Sequence, residues 1–130
     1  MRVLLADDHA FVRRALYLLL DEPDIEIVGE AATGREAVAL TRTLQPDLVL
    51  MDVSMPDLDG IEATRAIHAD WPQVGVIGLS IHEEAPPAEA MLAAGAMGYV
   101  TKAAFHQQLL AVMRGCHARL REELPPAVAA

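Results

Sequence analysis

The chain of 130 residues is poor in four things: cysteine, aromatic side chains, positive charge and long apolar runs. A single cysteine, Cys116, rules out an internal disulfide and points to a reducing compartment. One Trp, two Tyr and two Phe leave the core to Leu, Val, Ile, Ala and Met. Ten Lys and Arg against nineteen Asp and Glu give a formal charge of −9, which repels a polyanion, so direct nucleic-acid binding by this segment is not expected. No apolar stretch reaches membrane-spanning length, and the start, Met1-Arg2 followed by four apolar residues and then acids, is too short for a signal peptide. These absences predict a soluble cytoplasmic protein that does not engage membranes.

What is present is a hydrophobic fraction of 53% in a length suited to one domain with a real core. Residues 2–6 form a short apolar run that stops at Asp7-Asp8. A helical pattern follows, with Phe11, Ala15, Leu18 and Leu19 expected on the buried face. After Pro23, residues 25–31 read as a strand with Ile25, Ile27 and Gly29 on one side. Thr33 and Glu36 have capping-box spacing and open a helix carrying Ala37, Val38, Leu40 and Leu44 that stops before Pro46.

Residues 48–52 are a buried strand ending on Asp52, followed by a loop punctuated by Pro56 and Gly60, a helix over 61–71 and a strand over 74–79 ending at Ser80. Pro86-Pro87 suits a first helical turn, after which Ala88, Met91 and Leu92 give a modest face on a short, Ala-rich helix expected to be weakly held. Residues 97–101 form the last strand, closing at Lys102. Phe105, Leu109, Val112, Met113, Cys116 and Leu120 then mark the clearest helix. Five strand–helix repeats predict an α/β fold, a three-layer doubly wound sandwich around a parallel sheet. The domain is expected over 1–120, with 121–130 a tail or the start of a linker.

In such a sheet the strand C-termini share one edge, and ligands bind in the crevice outside it. Asp7 and Asp8, Asp52, Ser80 and Lys102 all fall there. Taken singly, the acids read as caps or turn residues, Ser80 as a turn residue and Lys102 as a solvated charge. Together their chemistry is complementary. Close carboxylates repel by roughly 4 kcal/mol per pair at an effective dielectric near 20, so the group calls for a cation. Hard oxygen ligands suit Mg²⁺, whereas His9 and His82 in nearby loops are weak evidence for zinc. A carboxylate flanked by a cation, a hydroxyl and an ammonium is equipped to receive a phosphoryl group.

The segments Leu-Leu-Ala-Asp7-Asp8-His, Leu-Met-Asp52-Val-Ser-Met-Pro56-Asp-Leu-Asp-Gly60, Leu-Ser80-Ile-His and Gly98-Tyr99-Val-Thr-Lys102 resemble the receiver domains of bacterial two-component response regulators, the CheY-like fold. The resemblance covers residues 1 to about 120 and is greatest to the NarL/FixJ type. It implies a five-stranded sheet of order 2-1-3-4-5 with five helices. It implies Asp52 as phosphoacceptor, with Mg²⁺ held by Asp7, Asp8, Asp52 and the Ser54 backbone carbonyl. It further implies Lys102 as phosphoryl partner, Ser80 as hydroxyl switch and Tyr99 as coupled aromatic, with His82 adjacent to the site. Signalling would pass through the face formed by helix 4, strand 5 and helix 5.

The implied partners are a histidine kinase and a second copy, through helix 1 with helix 5 or through that switch face. NarL/FixJ-type members usually carry a C-terminal helix-turn-helix, which is not in this sequence, so the chain reads as the receiver of a longer transcription regulator or as a stand-alone receiver. The resemblance implies no conventional enzyme, only self-phosphorylation from a donor and slow autodephosphorylation. An Asp-nucleophile phosphatase is the competing class, but such sites commonly place a second acid two residues after the nucleophile, where this chain has Ser54. Ala103 stands where many receivers have Pro after the lysine.

Overall fold

The computed structural model describes residues 1–80 and 85–123. Strands β1 (Arg2–Ala6), β2 (Glu26–Ala31), β3 (Leu48–Asp52), β4 (Gly75–Ser80) and β5 (Gly98–Thr101) alternate with helices α1 (Ala10–Leu19), α2 (Gly34–Leu44), α3 (Gly60–Asp70), α4 (Ala85–Ala93) and α5 (Leu110–Glu123). All strand pairs are parallel, in the order β2-β1-β3-β4-β5. The predicted sandwich and its order are therefore observed, with β3 central and the site-bearing strand ends along one edge.

Side-chain alternation along the buried strands builds two cores. Val3, Leu5, Leu48, Leu50, Ile77, Leu79 and Val100 pack under α1 and α5, while Leu4, Ala6, Val49, Met51 and Val76 pack under α2, α3 and α4. The face expected on the last helix is observed in full, from Phe105 to Leu120, with Cys116 as a buried core residue. Its first turns are not α-helical, however. A 3₁₀ turn over Lys102–Ala104 leads into a π-helical turn over Phe105–Leu109, so the chain enters α5 with its hydrogen-bond ladder shifted.

Three expected faces need correction. In α1 the buried stripe is Val12, Leu16, Leu19 and Leu20, whereas Phe11 and Leu18 are 85% and 75% exposed and Ala15 is also exposed. Apolar residues run nearly all round this helix, so two stripes satisfy the same period and only the tertiary contact selects one. In β2 the register slips at Val28 between the pairs Val3–Ile27 and Leu4–Gly29. This bulge leaves Ile25 and Ile27 on the α1/α5 side but turns Gly29 to the other, where a Cβ would meet Leu44 at 2.9 Å. In α4, Met91 is buried and Leu92 is half-exposed.

Turn and cap chemistry follows the sequence closely. Thr33 Oγ1 accepts from the Glu36 N–H at 3.1 Å, and the Glu36 carboxylate accepts from Ala32 rather than from Thr33. Asp59 caps α3 by accepting from Glu62 N–H at 2.9 Å. Two glycines are required by close backbone approach. A Cβ on Gly34 would lie 1.9 Å from the Leu58 carbonyl oxygen, and one on Gly60 would lie 1.9 Å from that of Asp52.

Gly115 in α5 has open space around its Cα. Urea unfolding is therefore expected to show Gly34→Ala and Gly60→Ala each losing roughly 2–4 kcal/mol of stability, and Gly115→Ala gaining roughly 0.5–1 kcal/mol.

Candidate phosphoacceptor and metal site

The sheet's C-terminal edge gathers the predicted residues by simple extension of its ladders. Asp7 follows β1 and stays at the lip because its N–H donates to Ala31 O at 3.0 Å, continuing the β1–β2 pairing. Asp52 ends β3 opposite Leu79, and Ser80 ends β4 opposite Thr101, one residue before Lys102. The loop after Asp52 is pinned at both ends, by Val53 N–H to Leu79 O at 3.0 Å and by Gly60 N–H to Val53 O at 2.8 Å. Between these points Asp57 takes a positive φ of 75°, a left-handed turn that Asp tolerates, and its exposed carboxylate pairs with Arg35 at 3.2 Å.

The crevice so formed has a volume of about 330 Å³ and is lined by Asp8, His9, Asp52, Val53, Ser54, Ser80 and Lys102. Asp7 is fully buried at its base, Asp52 is 5% exposed and Ser80 is buried, whereas Asp8 faces solvent. Lys102 Nζ lies 2.8 Å from Asp7 Oδ2 and 3.5 Å from Asp52 Oδ2. The ammonium thus sits nearer Asp7, an expected metal ligand, than Asp52, the expected phosphoacceptor. Asp7 Oδ1 accepts from the His9 backbone N–H at 2.9 Å, and Asp52 Oδ1 is 3.4 Å from the Ser54 N–H.

Asp7 Oδ2 makes no hydrogen bond of good geometry among the described residues; its Lys102 contact is an ion pair without that alignment. Ligand atoms of Asp7, Asp8, His9 and Asp52 all fall within 4.8 Å of one another. One ammonium cannot neutralise three carboxylates so close together, and a buried acceptor oxygen without a hydrogen bond is the vacancy in bonding that a hard cation satisfies. The residues present fit Mg²⁺.

Asp52 carries the electrostatic consequence. Burial pushes its carboxyl from 3.8 up to about 6, and Asp7 adds to the rise; Lys102 and the Ser54 N–H oppose it. Tyr99 stands on β5 opposite Gly78, partly buried against the α2/α3/α4 core, where a Cβ on Gly78 would meet its ring at 2.9 Å. His82 lies outside the described residues.

The response regulator receiver domain model matches residues 3–114. The chain belongs to that family. Receiver domains are signalling modules of two-component systems that bind Mg²⁺ in an acidic pocket and interact with histidine kinases, and they are not conventional enzymes. Response regulator UvrY of Escherichia coli (strain K12) is 40% identical over 122 residues, covering 93% of this chain and 56% of UvrY.

Among solved structures, a LuxR-family two-component response regulator from Aurantimonas sp. SI85-9A1 is 35% identical with a TM-score of 0.86, covering 91% of this chain and 85% of that one. The signal receiver domain of NarL from Mycobacterium tuberculosis is 28% identical with a TM-score of 0.83, covering 90% and 95%. These matches place the receiver with the NarL/FixJ type. The chain spans about half the length of the curated relatives it matches. Among the described residues no helix is long and apolar enough to cross a membrane.

Sequence reasoning passed over two residues of this receiver. His9, which by sequence is with His82 only weak evidence for zinc, has its Nδ1 3.1 Å from Asp8 Oδ1 and 3.4 Å from Asp7 Oδ1. Arg13 buries most of its side chain, donating to the Asp7 carbonyl at 2.6 Å and to Glu30 at 2.8 Å, and so fixes the acid loop to β2. The His9 signal was its adjacency to Asp-Asp; the Arg13 signal was a basic residue one turn into α1.

The raised Asp52 carboxyl sets a pH dependence. Well below pH 3.8 the group is protonated whether folded or unfolded, and its burial carries no ionisation cost. Between 4 and 6 the unfolded chain ionises first, so a cost grows, reaching about 3 kcal/mol above pH 6. Without added divalent cation, Asp52→Asn is expected to stabilise the protein by roughly 1–3 kcal/mol at pH 7.5, with the gain fading towards pH 4 in parallel urea titrations.

Proposed function

We propose that this receiver is a phosphorylation-dependent switch in which Asp52 accepts a phosphoryl group from the phosphohistidine of a histidine kinase. One observation carries the reading: a buried carboxylate, held at the end of the central strand, shares one crevice with acids for a cation, a hydroxyl and an ammonium. An Asp52 oxygen forms the new O–P bond as the N–P bond of the donor breaks. Asp7, Asp8, Asp52 and the Ser54 backbone carbonyl would hold Mg²⁺, which when bound would supply positive charge for the oxygens of the transferring group. Lys102 moves its ion pair from Asp7 to a phosphoryl oxygen, and the Ser80 hydroxyl donates to another. Slow hydrolysis by water later restores the carboxylate.

The output follows from the same residues. Ser80 drawn to the phosphoryl group vacates space next to β5, Tyr99 changes rotamer into it, and the α4/β5/α5 face shifts its population. Met91 is the one fully buried side chain described on α4, which supports a helix held lightly enough to move. The shifted face controls a DNA-binding output domain beyond this segment, as in a transcription regulator of the NarL/FixJ type; a stand-alone receiver acting through protein contacts is the alternative. Homodimerisation through α1 and α5 is favoured over the switch face by exposed Phe11 and Leu18 on α1. The segment makes no direct nucleic-acid contact, in keeping with its charge of −9, and acts in the cytoplasm.

Acetyl phosphate or a phosphorylated kinase with Mg²⁺ is expected to place one acid-stable, base-labile phosphoryl group on the chain, detected by mass, and none on Asp52→Asn. Multiple turnovers of a phosphate ester would instead identify a phosphatase. Lys102→Ala is expected to keep Mg²⁺ binding within about threefold yet lose the phosphorylation-dependent change in the spectra of α4 and β5; a mutant whose spectra respond as the wild type does would contradict the role given to Lys102.

A further inference from the structure

The acid loop carries a nitrogen donor that the cation reading does not use. His9 sits at the N-cap of α1 in an extended conformation, and its N–H to Asp7 Oδ1 at 2.9 Å fixes where the residue stands. Its ring lines the same crevice as Asp52 and Lys102, with Nδ1 3.1 Å from Asp8 Oδ1 and 3.4 Å from Asp7 Oδ1. Asp7 Oδ2, buried and ion-paired with Lys102 Nζ at 2.8 Å, belongs to the same cluster, whose ligand atoms from Asp7, Asp8, His9 and Asp52 fall within 4.8 Å of one another. A neutral imidazole has one ring nitrogen with a free lone pair, and imidazole suits Ni²⁺, Zn²⁺ and Cu²⁺, whereas Mg²⁺ prefers oxygen and keeps its waters.

We propose that His9 is a metal-selectivity residue: a ring nitrogen joins the aspartates around borderline divalent transition ions but not around Mg²⁺. The site then holds one ion in two ways. With Mg²⁺ it is an all-oxygen site and the imidazole stays aside; with a transition ion it gains a nitrogen ligand from the residue next to its own acids. Such an ion competes with Mg²⁺ for the same carboxylates, so the metal that occupies the receiver depends on His9 as well as on the acids. The inference rests on the cation site proposed above, and its failure is separable from failure of that site.

The test is calorimetric titration of the full chain with Mg²⁺ and with Ni²⁺, comparing wild type, His9→Ala and Asp52→Asn. Ni²⁺ binding that survives in the double variant His9→Ala/Asp52→Asn belongs to other histidines and is subtracted. His9→Ala is expected to weaken site-bound Ni²⁺ roughly tenfold or more while changing Mg²⁺ affinity by less than about twofold. With Cu²⁺ bound at the site, the electron spin-echo spectrum is expected to show ¹⁴N coupling from a directly bound imidazole, absent in His9→Ala. Equal losses for Ni²⁺ and Mg²⁺ would make His9 a loop-shaping residue and overturn the proposal. So would unchanged affinities for both, or no ¹⁴N coupling. Titrations identical in Asp52→Asn and wild type would overturn the cation site itself, and the role of His9 with it.

Discussion

Asp52 is a carboxylate that the fold buries at the end of its central strand, beside a second buried carboxylate, with one ammonium between them. Left alone, that arrangement opposes folding at neutral pH, and the upward push on the Asp52 carboxyl is its direct expression. A cation, or a phosphoryl group that draws Lys102 away from Asp7, changes the charge balance of the whole crevice. The site's chemistry and its cost to stability are therefore one fact seen from two sides.

The surrounding structure is arranged to hold this group in place. The β3 ladder, buried on both faces, fixes the height of Asp52 in the sheet, and its register with β4 and that of β4 with β5 set Ser80 and Lys102 at the same lip. Gly60 lets α3 start directly against the Asp52 carbonyl, which no side chain would permit. Arg13 and the N–H of His9 hold the acid loop from the β1 side. Among the described residues two non-glycines are left-handed, Asp57 in the loop between Asp52 and α3 and Gln45 at the C-cap of α2. The 3₁₀ turn over Lys102–Ala104 and the π turn over Phe105–Leu109 form a second irregular join, with Ala103 in the first of them.

Most of the fold was legible because its signals are local and repeated: apolar runs of strand length, capping pairs such as Thr33 with Glu36, and prolines between elements. The acids, Ser80 and Lys102 were legible for a different reason, since a parallel sheet must bring its strand ends together whatever the details. What could not be read depended on tertiary choice. The buried stripe of α1 was one of two equivalent apolar faces, the β2 bulge turned Gly29 across the sheet, and the π turn before α5 has no counterpart in the helical period. The preference of Lys102 for Asp7, and the approach of His9 to both acids, depend on side-chain geometry that spacing does not encode.

The central claim is that Asp52 is held in an environment that disfavours its charge until a cation or phosphoryl group corrects it. A ¹³C carboxyl NMR titration of Asp52, with and without saturating Mg²⁺, measures this directly. The account predicts a midpoint at about 6 without metal and a clear downward shift when Mg²⁺ is added. A midpoint in the ordinary aspartate range that Mg²⁺ leaves unmoved would contradict it.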